Sequence, residues 1–152
     1  METEIKKIIE ELLSKTNFDF TSVSSELDMD SGSIWFLIES KDANHLIGKD
    51  GETIQSLNYL VKRFLDKKYK ENAPQIIIDV NNYQKLKIEK IKTIAHMMSE
   101  RARFFKSKIE LDPMNSFERR IVHEYVSKQG DLSSESAGFG KDRHIVISFI
   151  NK

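Results

Sequence analysis

The sequence predicts an α+β protein built as two small α/β domains, residues 1–81 and 82–152. Three observations carry this. At 152 residues the chain holds one average domain or two small ones. Runs with helical spacing alternate along it with short apolar runs of strand type. Finally, Asn81-Asn82 interrupts the pattern between a strand and a long helix, and reads as a very short domain boundary.

In the first half, Ile5, Ile8, Ile9, Leu12 and Leu13 mark a helix with one apolar face. Phe18, Phe20 and Val23 indicate a strand, and Asp30-Ser31-Gly32 a turn. Ile34 to Ile38 suits a central strand, Lys41 to Ile47 a brief helix, and Ile54, Leu57, Val61, Phe64 and Leu65 the buried face of a long helix ending near Lys70. Ile76 to Val80 is the third strand, which completes an α-β-β-α-α-β order. The second half reads α-β-α-β-β. Its helix runs from about Tyr83 to Lys106, and a strand spans Lys108 to Leu111. A second helix opens on a capping box formed by Asn115 and Glu118 and is expected to end at Gly130. Strands at Asp131–Ala137 and His144–Phe149 flank a Gly138-Phe139-Gly140 turn.

Composition narrows the chemistry. Hydrophobic residues make up 39% and charged residues 32%, which is ordinary for a globular protein. With no cysteine, disulfides, thiolate metal sites and thiol catalysis are excluded. The first apolar segment, Ile5 to Leu13, contains Glu10 and Glu11 and is too short to span a bilayer. It is no signal peptide either, so the expectation is a cytoplasmic protein without membrane insertion. The net charge of zero conceals an uneven distribution: −6 over residues 1–40, +2 over 41–72 and +4 over 73–152.

Leu46 to Ile54 is the stretch around which the first half is organised. Gly48 and Gly51 sit three apart between helices, where the absence of Cβ lets another backbone approach. The amides of this turn, and those opening the next helix, are expected to point outward as donors for a phosphate. The spacing is neither that of a nucleoside-triphosphate loop nor that of a Rossmann fingerprint. Ile47-Gly48-Lys49-Asp50-Gly51 followed by Ile54 resembles the KH domain, whose Gly-x-x-Gly loop clamps the backbone of single-stranded nucleic acid. The element order fits its bacterial, type II arrangement. The fuller run Leu46 to Leu65 is similar to the KH module of the bacterial Jag (SpoIIIJ-associated) family. The resemblance implies an RNA-binding loop at Ile47, Gly48, Lys49, Asp50 and Gly51, with bases bordered by Ile34, Ile38 and Ile54. One departure stands out: the family usually has a second basic residue where this chain has Asp50, a carboxylate that weakens phosphate binding unless it caps the following helix.

A second constellation lies in the other half. Arg119 and His123, four apart on a helix, share a face distinct from the arc of Phe117, Ile121, Val122 and Tyr125. Leu111 to Asn115 with Glu118 to His123, then Ser134-Glu135-Ser136 and Arg143 to Ile147, resembles the Arg-x-x-x-His ("R-three-H") domain that follows KH in Jag proteins. Asp79 to Tyr83 matches the junction of that family. The resemblance implies a nucleic-acid patch at Arg119 and His123, which Arg120, Arg143, Arg101 and Arg103 would extend. It gives no metal site and no cofactor. Longer family members carry an additional N-terminal Jag-specific domain; the resemblance does not extend to it, so whatever that domain recruits is not part of the expectation.

The function expected is that of a single-stranded RNA-binding protein (single-stranded DNA being the other candidate ligand), a post-transcriptional regulator linked to cell elongation and envelope control. Its expected partner is a second copy or a small KH-only protein. Two other classes stand beside it. One is a protein-interaction scaffold whose KH fold has lost RNA, for which Asp50 is the support. The other is a nuclease using His123 with Glu118 or Glu124. Against the nuclease, the chain has no His-Glu-x-x-His, no Gly-x-Ser-x-Gly and no spaced carboxylate cluster for a metal pair. His45, His96 and His144 are scattered and read as structural or surface groups.

Overall fold

A computed structural model describes residues 1–151, and the chain divides into two compact units, Met1–Lys85 and Leu86–Lys152. In the first, α1 (Glu2–Lys15), β1 (Ser22–Leu27), β2 (Ile34–Glu39), α2 (Ala43–Ile47), α3 (Glu52–Tyr69) and β3 (Ile76–Val80) follow the α-β-β-α-α-β order. The three strands form one sheet in sequence order, with β1 antiparallel and β3 parallel to the central β2. Both the β2–β3 crossover and its length follow from parallel pairing, which requires a helical connection. Ile5, Ile9 and Leu13 of α1, Ile54, Val61 and Leu65 of α3, and Phe36, Ile38, Ile78 and Val80 of the sheet make a single core. Each such side chain contributes about 1.5–3 kcal/mol by leaving water.

Phe18 and Phe20 are not strand residues: both pack half-buried on this core ahead of β1. Asn17, at φ 57, turns the chain there, so the apolar pair serves as a lead-in to the sheet.

The second unit contains most of α4 (Tyr83–Phe105), then β4 (Lys108–Glu110), α5 (Ser116–Ser127), β5 (Leu132–Ala137) and β6 (His144–Phe149). Here β6 is central, antiparallel to β4 on one side and β5 on the other. Its core gathers Ile91, Ala95 and Ala102 from α4, Ile121, Val122 and Val126 from α5, and Ile145 and Ile147 from β6. The Asn115–Glu118 capping box forms as expected: the Asn115 side chain accepts from the Glu118 amide and the Glu118 carboxylate accepts from the Asn115 amide. The helix stops at Ser127 rather than at Gly130, with Lys128 still in right-handed conformation at its end.

The first turn of α4 belongs to the first unit because Asp79 holds it. The Asp79 carboxylate is fully buried, accepting from the Val80 and Gln84 amides through one oxygen and from the Lys85 amide through the other. Unpaired amides of a helix start thereby find a carboxylate. Asn81 and Asn82, both at positive φ, make the tight turn between the strand and the helix, and the Asn81 side chain bridges the backbone of Ser40.

Candidate nucleic-acid interface

Consider first the Gly-x-x-Gly loop. Gly48 (φ 75) and Gly51 (φ 79) both occupy the left-handed region, and so does Asp50 (φ 53). A Cβ on Gly48 would stand 2.2 Å from Thr53 Oγ1, while one on Gly51 would press on the Tyr83 ring at 3.2 Å. Both glycines are therefore demanded by the loop's own packing. Several amides expected to face a ligand are spent inside it. Gly48 N–H donates to Asn44 O, Gly51 N–H to Gly48 O, and Glu52 N–H to Lys49 O. Lys49 and Asp50 are exposed at the crest. Asp50 does not cap α3, whose N-cap is Gly51 without a side-chain bond, so its charge stays in solvent beside Lys49.

The expected base-lining residues separate. Ile38 and Ile54 are each 1% exposed and belong to the core, because both point inward between sheet and helices. They cannot border an open groove. Ile47 and Ile34 are half-buried and reachable, but Ile34 opens β2 whereas the loop lies towards its other end, about 13 Å along the strand. Lys49 and Ile47 are what the loop itself presents.

In the second unit, α5 lies against β5, and two of the expected residues, Arg119 and Arg143, are linked through hydrogen bonds to Met114. Arg119 Nη1 donates to Met114 O at 2.7 Å, and the Met114 amide donates to Arg143 O at 3.2 Å. Arg143 Nη1 donates to Gly138 O at 2.9 Å. Both arginines are half-buried, and each spends one donor of a five-donor planar fork. What is left over suits a phosphate.

His123 is placed beside this pair but is occupied. Its Nδ1 lies 2.7 Å from Ser134 Oγ and its Nε2 3.0 Å from Ser136 Oγ. The serines alternate along β5, so both hydroxyls face the ring. A neutral imidazole satisfies both, donating to one hydroxyl and accepting from the other. Burial, then the positive charge of Arg119, hold its pKa below the usual 6.5. His123, expected in the nucleic-acid patch, is therefore a neutral ring near neutral pH whose two nitrogens are occupied by β5 and fix α5 on it. Because its folded pKa is depressed, the stability it brings is present above 6.5 and lost as pH falls through the folded value.

The remaining basic residues lie elsewhere. Arg103 donates to Asp131 through Nε (2.7 Å) and Nη2 (3.0 Å), to Glu100 through Nη1 and to Gln129 through Nη2. Asp131 precedes β5, whereas Gly138 follows it, so Arg103 and Arg143 stand at opposite ends of that strand. Arg103 is a brace between α4 and the start of β5 rather than part of the patch. Arg101 is exposed on α4, and Arg120 is exposed on α5, 3.7 Å from Glu124.

Neither carboxylate expected to work with His123 is bonded to it. Glu118 closes the capping box and pairs with Lys87 at 3.1 Å, while Glu124 faces Arg120. Among the described residues no group of three His, Asp or Glu side chains could hold a metal ion, and no helix is long and apolar enough to cross a membrane. Sequence reasoning missed Ser134 and Ser136 as partners of His123, although a serine at every second strand position facing a helix was the available signal.

Residues 89–149 match the family model of the R-three-H domain. The chain is 32% identical over 111 residues to a protein named RNA-binding protein KhpB from Clostridium symbiosum, covering 73% of this chain and 50% of that one. It is 32% identical over 113 residues to the Bacillus subtilis protein of the same name, covering 73% and 54%. With the Streptococcus pneumoniae protein of that name the identity is 26% over 152 residues, covering 88% and 46%. The chain thus spans about half the length of the curated relatives it matches.

Proposed function

For a chain that carries an R-three-H domain and is related over most of its length to the KhpB proteins of the Jag family, we propose the binding of single-stranded RNA without chemistry on it. One observation supports this reading: the Arg119 side chain and the Arg143 backbone are joined through Met114, and each guanidinium, bonded once to a backbone carbonyl, keeps most of its donors unspent inside the segment that matches the R-three-H domain. Two guanidinium forks held by backbone carbonyls are ordered before the ligand arrives, which lowers the entropic cost of binding. The first unit is read as a type II KH domain whose loop adds a weaker contact through Lys49 and Ile47. Single-stranded DNA is the competing ligand, because nothing at an arginine fork tests for a 2′-hydroxyl.

The same reading places the protein in the cytoplasm, as a regulator of transcripts connected with cell elongation and the envelope. Its partner is a second copy or a small KH-only protein. Tyr59, Leu60 and Phe64, the last expected on the buried face of α3 but lying outside it, stand 63%, 55% and 48% exposed and offer an apolar surface for pairing. If RNA fails to bind, this surface and the exposed Asp50 favour the scaffold reading instead.

The test is affinity for a short labelled single-stranded RNA, measured by fluorescence anisotropy against salt. Arg119→Ala is expected to weaken binding about tenfold and to lower the salt slope by about one. An affinity and slope equal to wild type would remove Arg119 from the interface. Incubating the RNA with and without divalent metal separates binding from cleavage, and crosslinking in cells names the bound transcripts.

A further inference from the structure

Phe139 has no part in holding the fold. It is 91% exposed, the most exposed of the large apolar side chains described. Its loop is nonetheless fixed. The Asp142 amide donates to Phe139 O at 3.2 Å, the Arg143 amide to Gly140 O at 3.3 Å, and Arg143 Nη1 to Gly138 O at 2.9 Å. Gly138 and Gly140 adopt φ 83 and φ 60, and a Cβ on Gly138 would lie 2.9 Å from Asp142 O. Phe139 itself is extended, with φ −133 and ψ 145. A turn braced on both sides therefore holds one aromatic ring out into water.

The neighbours of that ring tell what it suits. The residues that follow it, Gly140, Lys141 and Asp142, are exposed and carry no apolar side chain, so the ring does not continue into an apolar run along the chain. A flat ligand with a π-face and a nearby negative charge fits these surroundings. The distance to the arginine site is short as well. Phe139 follows Ser136, which holds His123, by three residues, at most about 10 Å of extended chain. The Arg143 guanidinium ties down the loop through Gly138 O and has further donors to offer, and the Arg143 backbone is joined through Met114 to the Arg119 side chain.

We propose that Phe139 is a stacking platform for an unpaired base whose phosphate is held by Arg119 and Arg143. The platform rests on the RNA-binding reading above and adds to it where a base is placed. Base stacking on an aromatic ring tolerates any base, so the subsite would select unpaired over paired RNA rather than one sequence over another.

The experiment uses the full chain and a short single-stranded RNA of mixed sequence. Phe139→Ala is expected to weaken binding about tenfold, with the salt slope unchanged because no charge is removed. Phe139→Tyr should bind like wild type. Phe139→Trp introduces an exposed indole against a background of one native tryptophan, Trp35, which is 7% exposed. Its emission should be quenched by single-stranded RNA and not by an abasic ribose-phosphate oligomer, to which wild type and Phe139→Ala should bind equally. If Phe139→Ala binds RNA like wild type while Arg119→Ala binds weakly, the platform falls and the RNA-binding reading stands. If wild type binds no RNA, both fall.

Discussion

Replacing Asp50 by asparagine separates the loop's charge from its shape. Asp50 sits at φ 53, exposed, between Lys49 and the glycine that begins α3. Asparagine tolerates the left-handed region as readily as aspartate, so the loop keeps its geometry. The one stabilising term lost is the carboxylate's attraction to the start of α3, a few tenths of a kcal/mol at an exposed site. Against this stands repulsion of a bound phosphate. At about 8 Å a pair of unit charges interacts by about 0.5 kcal/mol in water and about 2 kcal/mol at an effective dielectric constant of 20. The loop is exposed and a Debye length at physiological salt is about 8 Å, so the lower part of that range applies. A gain of about 0.5–1 kcal/mol corresponds to RNA binding about two- to fivefold tighter. Anisotropy titrations of wild type and Asp50→Asn at about 50 and 200 mM salt measure it, and the gain should shrink at the higher salt. Equal affinities at both salt concentrations would show that no phosphate approaches this loop, and the RNA contact would then rest on the second unit alone.

Three further outcomes follow from the geometry. Gly48→Ala combines a positive φ with a 2.2 Å approach to Thr53 Oγ1, so it should lower the stability of the first unit by about 1–3 kcal/mol, read from the midpoint of chemical unfolding; an unchanged midpoint would mean the loop is not built this way. Arg103→Lys breaks the two-oxygen grip on Asp131 and should lower the melting temperature while leaving RNA affinity untouched, the opposite of what a patch residue would do. The imidazole signals of His123 and His144 should titrate on opposite sides of 6.5 in an NMR pH series. His123 is held below it by burial and Arg119, and His144 is raised above it by the Asp142 carbonyl and then Glu110. Stability from His123 is then lost as pH falls below 6.5, whereas that from His144 is present below 6.5 and lost as pH rises through its folded value. A His123 midpoint at or above 6.5 would contradict the neutral, serine-bonded ring.

The elements were readable because their signals are local. Ile5, Ile9 and Leu13 repeat at helical spacing and are buried, and the Asn115–Glu118 box needs only four consecutive residues to form. The α+β order of both halves follows from such signals. What a side chain touches depends instead on pairings across the chain. Ile38 and Ile54 read as apolar residues near a loop, and only the parallel pairing of β2 with β3 beneath α3 shows that they are enclosed. Arg103 and Arg143 carry the same charge and differ only in which end of β5 they reach. No periodicity encodes that.

The same distinction governs how the arginine site is to be understood. Arg119 and His123 share a helix face at four-residue spacing, yet the fold gives them different tasks. The histidine turns both nitrogens to β5 and thereby fixes α5 on that strand; the arginine spends one donor on Met114 and keeps the rest. Met114 is also bonded to Arg143, whose side chain closes the loop that carries Phe139. A displacement of α5 would therefore disturb Arg119, the Met114 contact and the aromatic loop together. On the RNA-binding reading proposed above, His123 would act through position rather than charge. Its loss should weaken binding without lowering the salt slope, whereas the loss of Arg119 lowers both.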